Sequence, residues 1–388
     1  MRRLRQRILD TLGAVYAPDE LNALMRELCR NLPGVSDNDF YLMPELPADA
    51  ARDSVLDGWL RRLAAGEPLQ YVLGYTDFFG LRLRCDHRAL IPRPETTELV
   101  EWVVEAVGCW PLAVGGGEAV GNGGKTVGNA VGDGKDAGGG DVVGGGEAVG
   151  GEERTLLDVG TGSGCIALAL ASRLPGWRVS GWDVSAEALS LARENAALSN
   201  VRAEFSLKDI LLADSSVDPE ASELTEASKA SANPETPGNS ETAGNPETVG
   251  NSETVGNPET EGSYETVGNY EMSGNSEMTG LSGISSEQFD VIVSNPPYIT
   301  LSESAAMERN VLDYEPHLAL FVPDDDPLRF YRAIARFGRR HLKEGGFIFF
   351  EINPLFADQL GQMLETLGYK ACFRNDISGR RRMVKAST

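Results

Sequence analysis

The chain has 388 residues, with 58 acidic side chains against 35 basic and a net charge of −23. That length suffices for two domains, no basic surplus advertises nucleic-acid binding, and no apolar run approaches membrane-spanning length. The cysteines (Cys29, Cys85, Cys109, Cys165 and Cys372) are scattered and odd in number, which suits a reducing cytoplasm, and His87, His317 and His341 have no metal-ligand spacing, so no metal is expected.

The chain opens M-R-R-L-R-Q-R-I-L, basic but with no apolar core behind it, and so is not read as a signal peptide. Residues 1–75 read as helical. Leu4, Ile8, Leu9, Leu12 and Val15 keep helical spacing, as do Leu21, Leu24, Met25 and Leu28, and again Leu56, Trp59, Leu60 and Leu63. Asp19 is placed to cap the second helix. Apolar faces of this kind pack on one another, which predicts a small helical bundle. Gly66-Glu67-Pro68 ends it. Residues 76–113 read as the connection to a second domain. A β-hairpin turns at Gly80 between Tyr75 and Cys85, and L-I-P-R-P-E-T follows at 90–96, with Pro94 suited to the first turn of a helix reaching Val107.

Residues 114–151 are low in complexity: V-G-G-G-E-A-V-G occurs at Val114–Gly121 and again at Val143–Gly150. So Gly-rich a stretch cannot offset its ordering entropy and is expected to be flexible. From 152 the pattern changes to alternating strands and helices. Leu156–Gly164 reads L-L-D-V-G-T-G-S-G, a strand and a glycine turn, before a helix from Cys165 to Leu174. Trp177–Asp183 is a second strand, Ala186–Leu198 a second helix and Val201–Leu207 a third strand. Such alternation predicts a doubly wound parallel sheet. Residues 212–287 interrupt it with 15 acidic side chains and one basic, Lys229. From Asn233 to Gly280 run eight hexapeptides of the form N-P/S-E-T-x-G, with almost nothing apolar to bury, so disorder is the expectation rather than a solenoid. After them come a strand to Ser294, a helix from about Pro327 to Leu342, a strand at Gly346–Ile352, a helix at Leu355–Leu367 and a terminal hairpin of Tyr369–Asn375 with Arg381–Ala386.

Two turns carry chemistry. In D-V-G-T-G-S-G, the residues Gly160, Thr161, Gly162, Ser163 and Gly164 let backbone approach a ligand closely and lead into a helix with unpaired N–H groups. Asp183 ends the second strand, where an acid can accept both hydroxyls of a ribose. It can equally cap the helix from 185 onward. Asp209 ends the third strand, placed for an adenine amino group with Ile210 packing on the ring. A solvated loop acid is the plainer alternative. The second turn is V-I-V-S-N-P-P-Y-I at 291–299. An apolar strand meets two prolines and must leave the sheet there. Asn295 offers an amide oxygen, Pro296 a backbone carbonyl, Pro297 rigidity and Tyr298 an aromatic face. Two acceptors and a ring can grip a planar group bearing an NH2.

Together these residues resemble the HemK/PrmC family, the protein glutamine methyltransferases of peptide chain release factors. D-V-G-T-G-S-G, the acidic end of the second strand and N-P-P-Y are similar to that family's catalytic domain. G-E-P-L-Q-Y-V-L-G at 66–74, F-F-G-L at 78–81 and L-I-P-R-P-E-T at 90–96 are similar to its interdomain signature. The resemblance covers nearly all but the two insertions, and the first 60 or so residues match weakly. It implies a class I methyltransferase: a Rossmann-like, mostly parallel sheet closed by an antiparallel hairpin, behind a helical bundle that recognises the release factor. It further implies S-adenosylmethionine as methyl donor, the glutamine of a Gly-Gly-Gln loop as acceptor, and a monomer. Asn295, Pro296 and Tyr298 become the catalytic residues, with Asn295 also beside the cofactor. N-P-P-Y also serves exocyclic amino groups of adenine or guanine, so a nucleic-acid methyltransferase is the alternative, against which stands the lack of a basic face. A scaffold protein working through its repeats is a third reading, against which stand the intact site motifs.

The repeats have no core to contribute, so deleting residues 233–280 is expected to leave the melting temperature nearly unchanged. A large drop in a thermal melt would show that they pack on the domain.

Overall fold

The computed structural model describes residues 2–42, 47–108, 153–215 and 287–388. The Gly-rich stretch and the hexapeptide repeats lie outside the described residues. The chain begins with α1 (Arg2–Leu12), α2 (Pro18–Asn31), α3 (Asp37–Leu42), α4 (Ala50–Ala64) and α5 (Leu69–Leu73). Leu4, Ile8 and Leu12 of α1 meet Leu21, Met25 and Leu28 of α2 and Leu56, Leu60 and Leu63 of α4 in one buried cluster. Leu9 and Val15, which share the helical spacing, stay exposed because α1 ends at Leu12 and only one face is covered. Asp19 does not cap α2. The helix starts one residue earlier at Pro18, whose ring presets the first turn, so Asp19 falls inside it. The cap that does form is Asp49 on α4, accepting the amides of Ala51 at 2.9 Å and Arg52 at 3.1 Å.

Strands β1 (Tyr75–Phe78) and β2 (Leu81–Arg84) form the hairpin. Its two-residue turn puts both Phe79 (φ 51°) and Gly80 (φ 80°) in the left-handed region, as a turn matched to strand twist requires. Next come α6 (Pro94–Gly108), β3 (Arg154–Val159), α7 (Cys165–Arg173), β4 (Trp177–Asp183), α8 (Ala186–Ser199), β5 (Glu204–Leu207) and α9 (Ile210–Ser215). Helix α9 carries ordered structure into the first residues of the stretch expected as insertion, because Ile210 and Ala213 are buried. Then follow β6 (Phe289–Ser294), β7 (Ile299–Thr300), α10 (Arg309–Tyr314), β8 (Phe321–Val322), α11 (Arg329–His341), β9 (Leu342–Glu351), α12 (Ala357–Thr366), β10 (Lys370–Asn375) and β11 (Arg381–Ser387). Among the described residues no helix is long and apolar enough to cross a membrane.

The main sheet has seven strands in the order β10-β11-β9-β6-β3-β4-β5. Pairs β3/β4, β4/β5, β3/β6 and β6/β9 are parallel, and β11 is antiparallel to both β9 and β10. This is the class I methyltransferase sheet. From β3 the chain builds outward first to β4 and β5, then returns to lay β6 on the other side of β3. The order reverses between β3 and β6, and their carboxyl ends border the crevice where open α/β sheets bind ligands. Val291, Ile292 and Val293 of β6 are fully buried, as a central parallel strand requires.

One polar cluster pins the other end of this seam. Asp290 is 4% exposed and accepts from the Thr155 amide (2.8 Å), Arg154 (2.9 Å) and Lys343 (2.9 Å). Burial alone would raise its pKa, but the Thr155 amide, Lys343 and Arg154 outweigh it and hold the carboxyl below its ordinary value. Asp290→Ala is therefore expected to destabilise the fold by about 1.5–3 kcal/mol, the worth of hydrogen bonds to a charged group. A depressed folded pKa stabilises above the unfolded value of about 4, so in urea melts the difference from wild type should shrink as pH falls below it.

Candidate active site

At the reversal the two motifs meet. The Ser294 hydroxyl, fully buried at the end of β6, donates to the Val159 carbonyl at the end of β3 at 2.6 Å. The chain then leaves both strands into one cleft. Of the residues expected at the site, Gly160, Thr161, Gly162, Ser163, Asp183, Asp209, Ile210, Asn295, Pro296 and Pro297 line it, joined by Arg93, Thr96, Lys208 and Phe330.

The glycine turn forms one wall. Gly160 (φ 71°) and Gly162 (φ 54°) are left-handed, and a Cβ at Gly160 would project into open space, so the turn leaves room at its surface. Asp158 shapes it from below. Its Oδ2 accepts the Thr161 hydroxyl at 2.7 Å and the Ala167 amide at 3.2 Å, while its Oδ1 is buried without a hydrogen-bond partner. Burial pushes this carboxyl up to about 7. Gly164, expected with the ligand-binding glycines, does not line the cleft. It faces α8, where a Cβ would sit 3.1 Å from Ala192 and 3.2 Å from Phe205, so its glycine serves close packing.

Asp183 ends β4 at the cleft. Its Oδ2 accepts the Gly162 amide (2.8 Å) and its Oδ1 the Ser185 amide (2.9 Å). It thus does touch the start of α8, but the side-chain cap of that helix is Ser185. Each oxygen takes one donor and keeps acceptor capacity toward the cleft. Burial raises its pKa, against the lowering pull of those amides. Asp209 accepts the Leu211 amide at 2.8 Å and so starts α9, with Ile210 buried behind it. Lys208 lays its ammonium over the Trp182 ring, 3.9 Å from the centroid.

The opposite wall is the N-P-P-Y turn. Asn295 donates through Nδ2 to the Thr96 hydroxyl at 3.3 Å, and Thr96 donates to Glu351 Oε2 at 2.6 Å. Tyr298 does not line the cleft. Its hydroxyl donates to the other oxygen of Glu351 at 3.2 Å. Thr96 and Glu351 are 2% and 1% exposed. Sequence reasoning passed over both. Thr96 sits in the stretch read as a connection, and Glu351 ends a strand on the same sheet edge as Asp183, a position that itself signals a site. A second tie is Glu315, 4% exposed, which accepts the Ile91 amide (3.1 Å) and Arg93 (2.6 Å) and so closes the loop after the turn against the connection. Asn195 of α8 is a third. It accepts the Arg84 amide at 2.6 Å and donates to the Ser163 carbonyl at 3.0 Å, clamping the hairpin to the glycine turn.

Comparison with known proteins matches residues 4–74 to the PrmC N-terminal domain and 156–223 to a methyltransferase domain. The release factor glutamine methyltransferase of Bacteroides thetaiotaomicron is 31% identical over 388 residues, all of this chain and all of that one. The chain belongs to the release factor glutamine methyltransferase family. The enzyme of the same name from Flavobacterium psychrophilum is 28% identical over 100% of this chain and 99% of its own. Among solved structures, the release factor-specific protein-(glutamine-N5) methyltransferase of Alicyclobacillus acidocaldarius is 17% identical, covering 76% of this chain and 93% of that one with a TM-score of 0.30.

A methyltransferase of this family takes its methyl group from S-adenosylmethionine. The cleft suits that donor: an open glycine turn, an acid with spare acceptor capacity ending β4, and an acid followed by a buried isoleucine ending β5. Asp183 would hold the ribose hydroxyls, and Asp209 with Ile210 the adenine. Asp183→Ala is expected to weaken S-adenosylmethionine binding by about 1.5–3 kcal/mol. Calorimetry showing unchanged affinity would remove Asp183 from the site.

Proposed function

We infer that the chain methylates the side-chain amide nitrogen of the glutamine in the Gly-Gly-Gln loop of peptide chain release factors and thereby tunes translation termination. The observation that carries this reading is the pair of acceptors at the reversal. Asn295 donates an amide hydrogen to Thr96, which turns its Oδ1 away from Thr96, and Pro296, whose carbonyl is the second acceptor in this reading, lines the same cleft. The relatives' shared name points to the same substrate.

The bound cofactor would supply an electrophilic methyl group on a sulfonium. The residues must solve a different problem, because an amide nitrogen is a poor nucleophile with a delocalised lone pair. Asn295 Oδ1 and the Pro296 carbonyl each accept one amide hydrogen. That fixes the plane of the substrate amide and the aim of its nitrogen. As positive charge grows on the nitrogen, both N–H bonds become stronger donors, so the same two acceptors bind the transition state better than the ground state. No strong base is required, since the proton becomes acidic only as the methyl arrives. Pro297 stiffens the turn, and Tyr298 holds it from behind through Glu351.

In this reading residues 1–75 grip the release factor and 76–113 connect them to the methyltransferase domain, 152–388, which 212–287 interrupt. The protein works as a monomer in the cytoplasm, where its substrate acts, without binding nucleic acid itself. Labelled S-adenosylmethionine offered with release factor, tRNA, rRNA and DNA should label release factor alone. Asn295→Ala should cut that transfer by about 10²–10³, the usual loss for one preorganised partner, with cofactor affinity falling far less. Asn295→Asp keeps an acceptor and should retain more activity than Ala. Transfer that survives Asn295→Ala within threefold would refute the assignment.

A further inference from the structure

We propose that Thr96 and Glu351 are positioning residues that set which end of the Asn295 amide faces the substrate. The inference rests on the proposed role of Asn295 and extends it to residues that touch no reacting atom.

The side-chain amide of asparagine is nearly symmetric in shape, and its two orientations differ by a half-turn about one bond. One presents an acceptor to the cleft, the other a donor. Only the first can hold a substrate NH2. Nothing in the N-P-P-Y turn itself chooses between them. The choice is made behind it. Burial raises the Glu351 pKa against the lowering pull of Thr96, Tyr298 and Arg382, and its two oxygens both accept: Oε1 takes the Tyr298 hydroxyl at 3.2 Å and Oε2 the Thr96 hydroxyl at 2.6 Å. A threonine hydroxyl has one proton. Once that proton is committed to Glu351, Thr96 can only accept from its other neighbour. Asn295 must then turn Nδ2 toward Thr96, as it does at 3.3 Å, and Oδ1 away from it. The Tyr331 hydroxyl donates to the Glu351 backbone carbonyl at 3.1 Å, which anchors the end of the strand that carries the acid. A mispaired asparagine would set its Oδ1 against a Thr96 oxygen that can only accept, a costly arrangement in a buried site. The chain of bonds therefore transmits one polarity from the acid to the cleft.

The test compares Thr96→Val, Thr96→Ser, Glu351→Gln and Asn295→Ala in the full-length protein, reading kcat and KM for methyl transfer to release factor, melting temperature, and cofactor affinity by calorimetry. Valine keeps the shape of threonine and removes the hydroxyl, so kcat should fall roughly tenfold or more while cofactor affinity stays within threefold. Serine keeps the hydroxyl and should restore kcat to within threefold of wild type. Glu351→Gln offers Thr96 a donor as readily as an acceptor and should also lower kcat. Made on top of Asn295→Ala, Thr96→Val should cost nothing further, because the residue it orients is gone. Unchanged kcat in Thr96→Val, a serine variant as slow as the valine one, or additive losses in the double variant would each overturn the proposal. So would loss of cofactor affinity in step with kcat, which would make Thr96 a cofactor ligand. If Asn295→Ala itself retains transfer, the functional reading fails and takes this proposal with it. If Asn295→Ala is slow and Thr96→Val is not, only the positioning role fails.

Discussion

The cleft depends on β3 and β6 lying side by side and parallel, with their ends level. Leu156 to Val159 pair with Val291 to Ser294, and the last pair is also tied by the Ser294 hydroxyl on the Val159 carbonyl. The glycine turn and the N-P-P-Y turn leave the sheet from those two ends. A slip of one residue in this register would exchange the side chains that β6 sends into the two layers of the core and carry Asn295 away from the turn. The register is protected at both ends. Asp290 ties β6 to Thr155 at the amino end, and apolar side chains fill the length between. The alignment of acceptor and cofactor turn is thus a consequence of sheet packing, and the loops need supply only the final side chains.

Much of this was legible in the sequence because it is local. An apolar run ended by two prolines, a glycine turn between strand and helix, and an acid ending the next strand each declare themselves within a few residues. The alternation of strands and helices gave the parallel sheet, and the Arg381 strand gave the closing hairpin, which the structure pairs antiparallel with β9 and β10. Boundaries slipped where packing decides them. Helix α2 begins at Pro18, and α9 extends past the point where the insertion was expected to begin because Ala213 finds a buried place.

What stayed hidden is what connects distant segments. Thr96 and Glu351 bond across 255 positions, Asn295 reaches Thr96 across 199, and Asn195 reaches Arg84 across 111. A threonine behind a proline at a helix start reads as an ordinary first-turn residue, and a glutamate after F-I-F-F reads as the end of a strand. The partner of Tyr298 stayed hidden for the same reason. Its aromatic face suggested stacking, but the acid that draws its hydroxyl inward lies 53 residues away. Gly164 likewise belongs to the motif by spacing but to the α8 contact by packing.

The buried acids share a common sense of sign. Asp158 is fully buried under the glycine turn, Asp183 faces the cleft beside it, and Glu351 is buried behind Asn295. Each would be costly in an apolar interior without donors, and each has them: Thr161 and Ala167, Gly162 and Ser185, Thr96 and Tyr298. Their carboxyls are therefore held in fixed orientations, although burial raises the pKa of all three and that of Asp158 to about 7, and two of the three have spare acceptor capacity, at Asp158 Oδ1 and at the cleft side of Asp183. Of the three only Asp183 lines the cleft, where Arg93 and Lys208 also stand, so the wall carries charge of both signs. The proposed order of events therefore rests on the acceptors: Asn295 Oδ1 and the Pro296 carbonyl bind N–H groups, which the substrate nitrogen offers in pairs only while it keeps its proton.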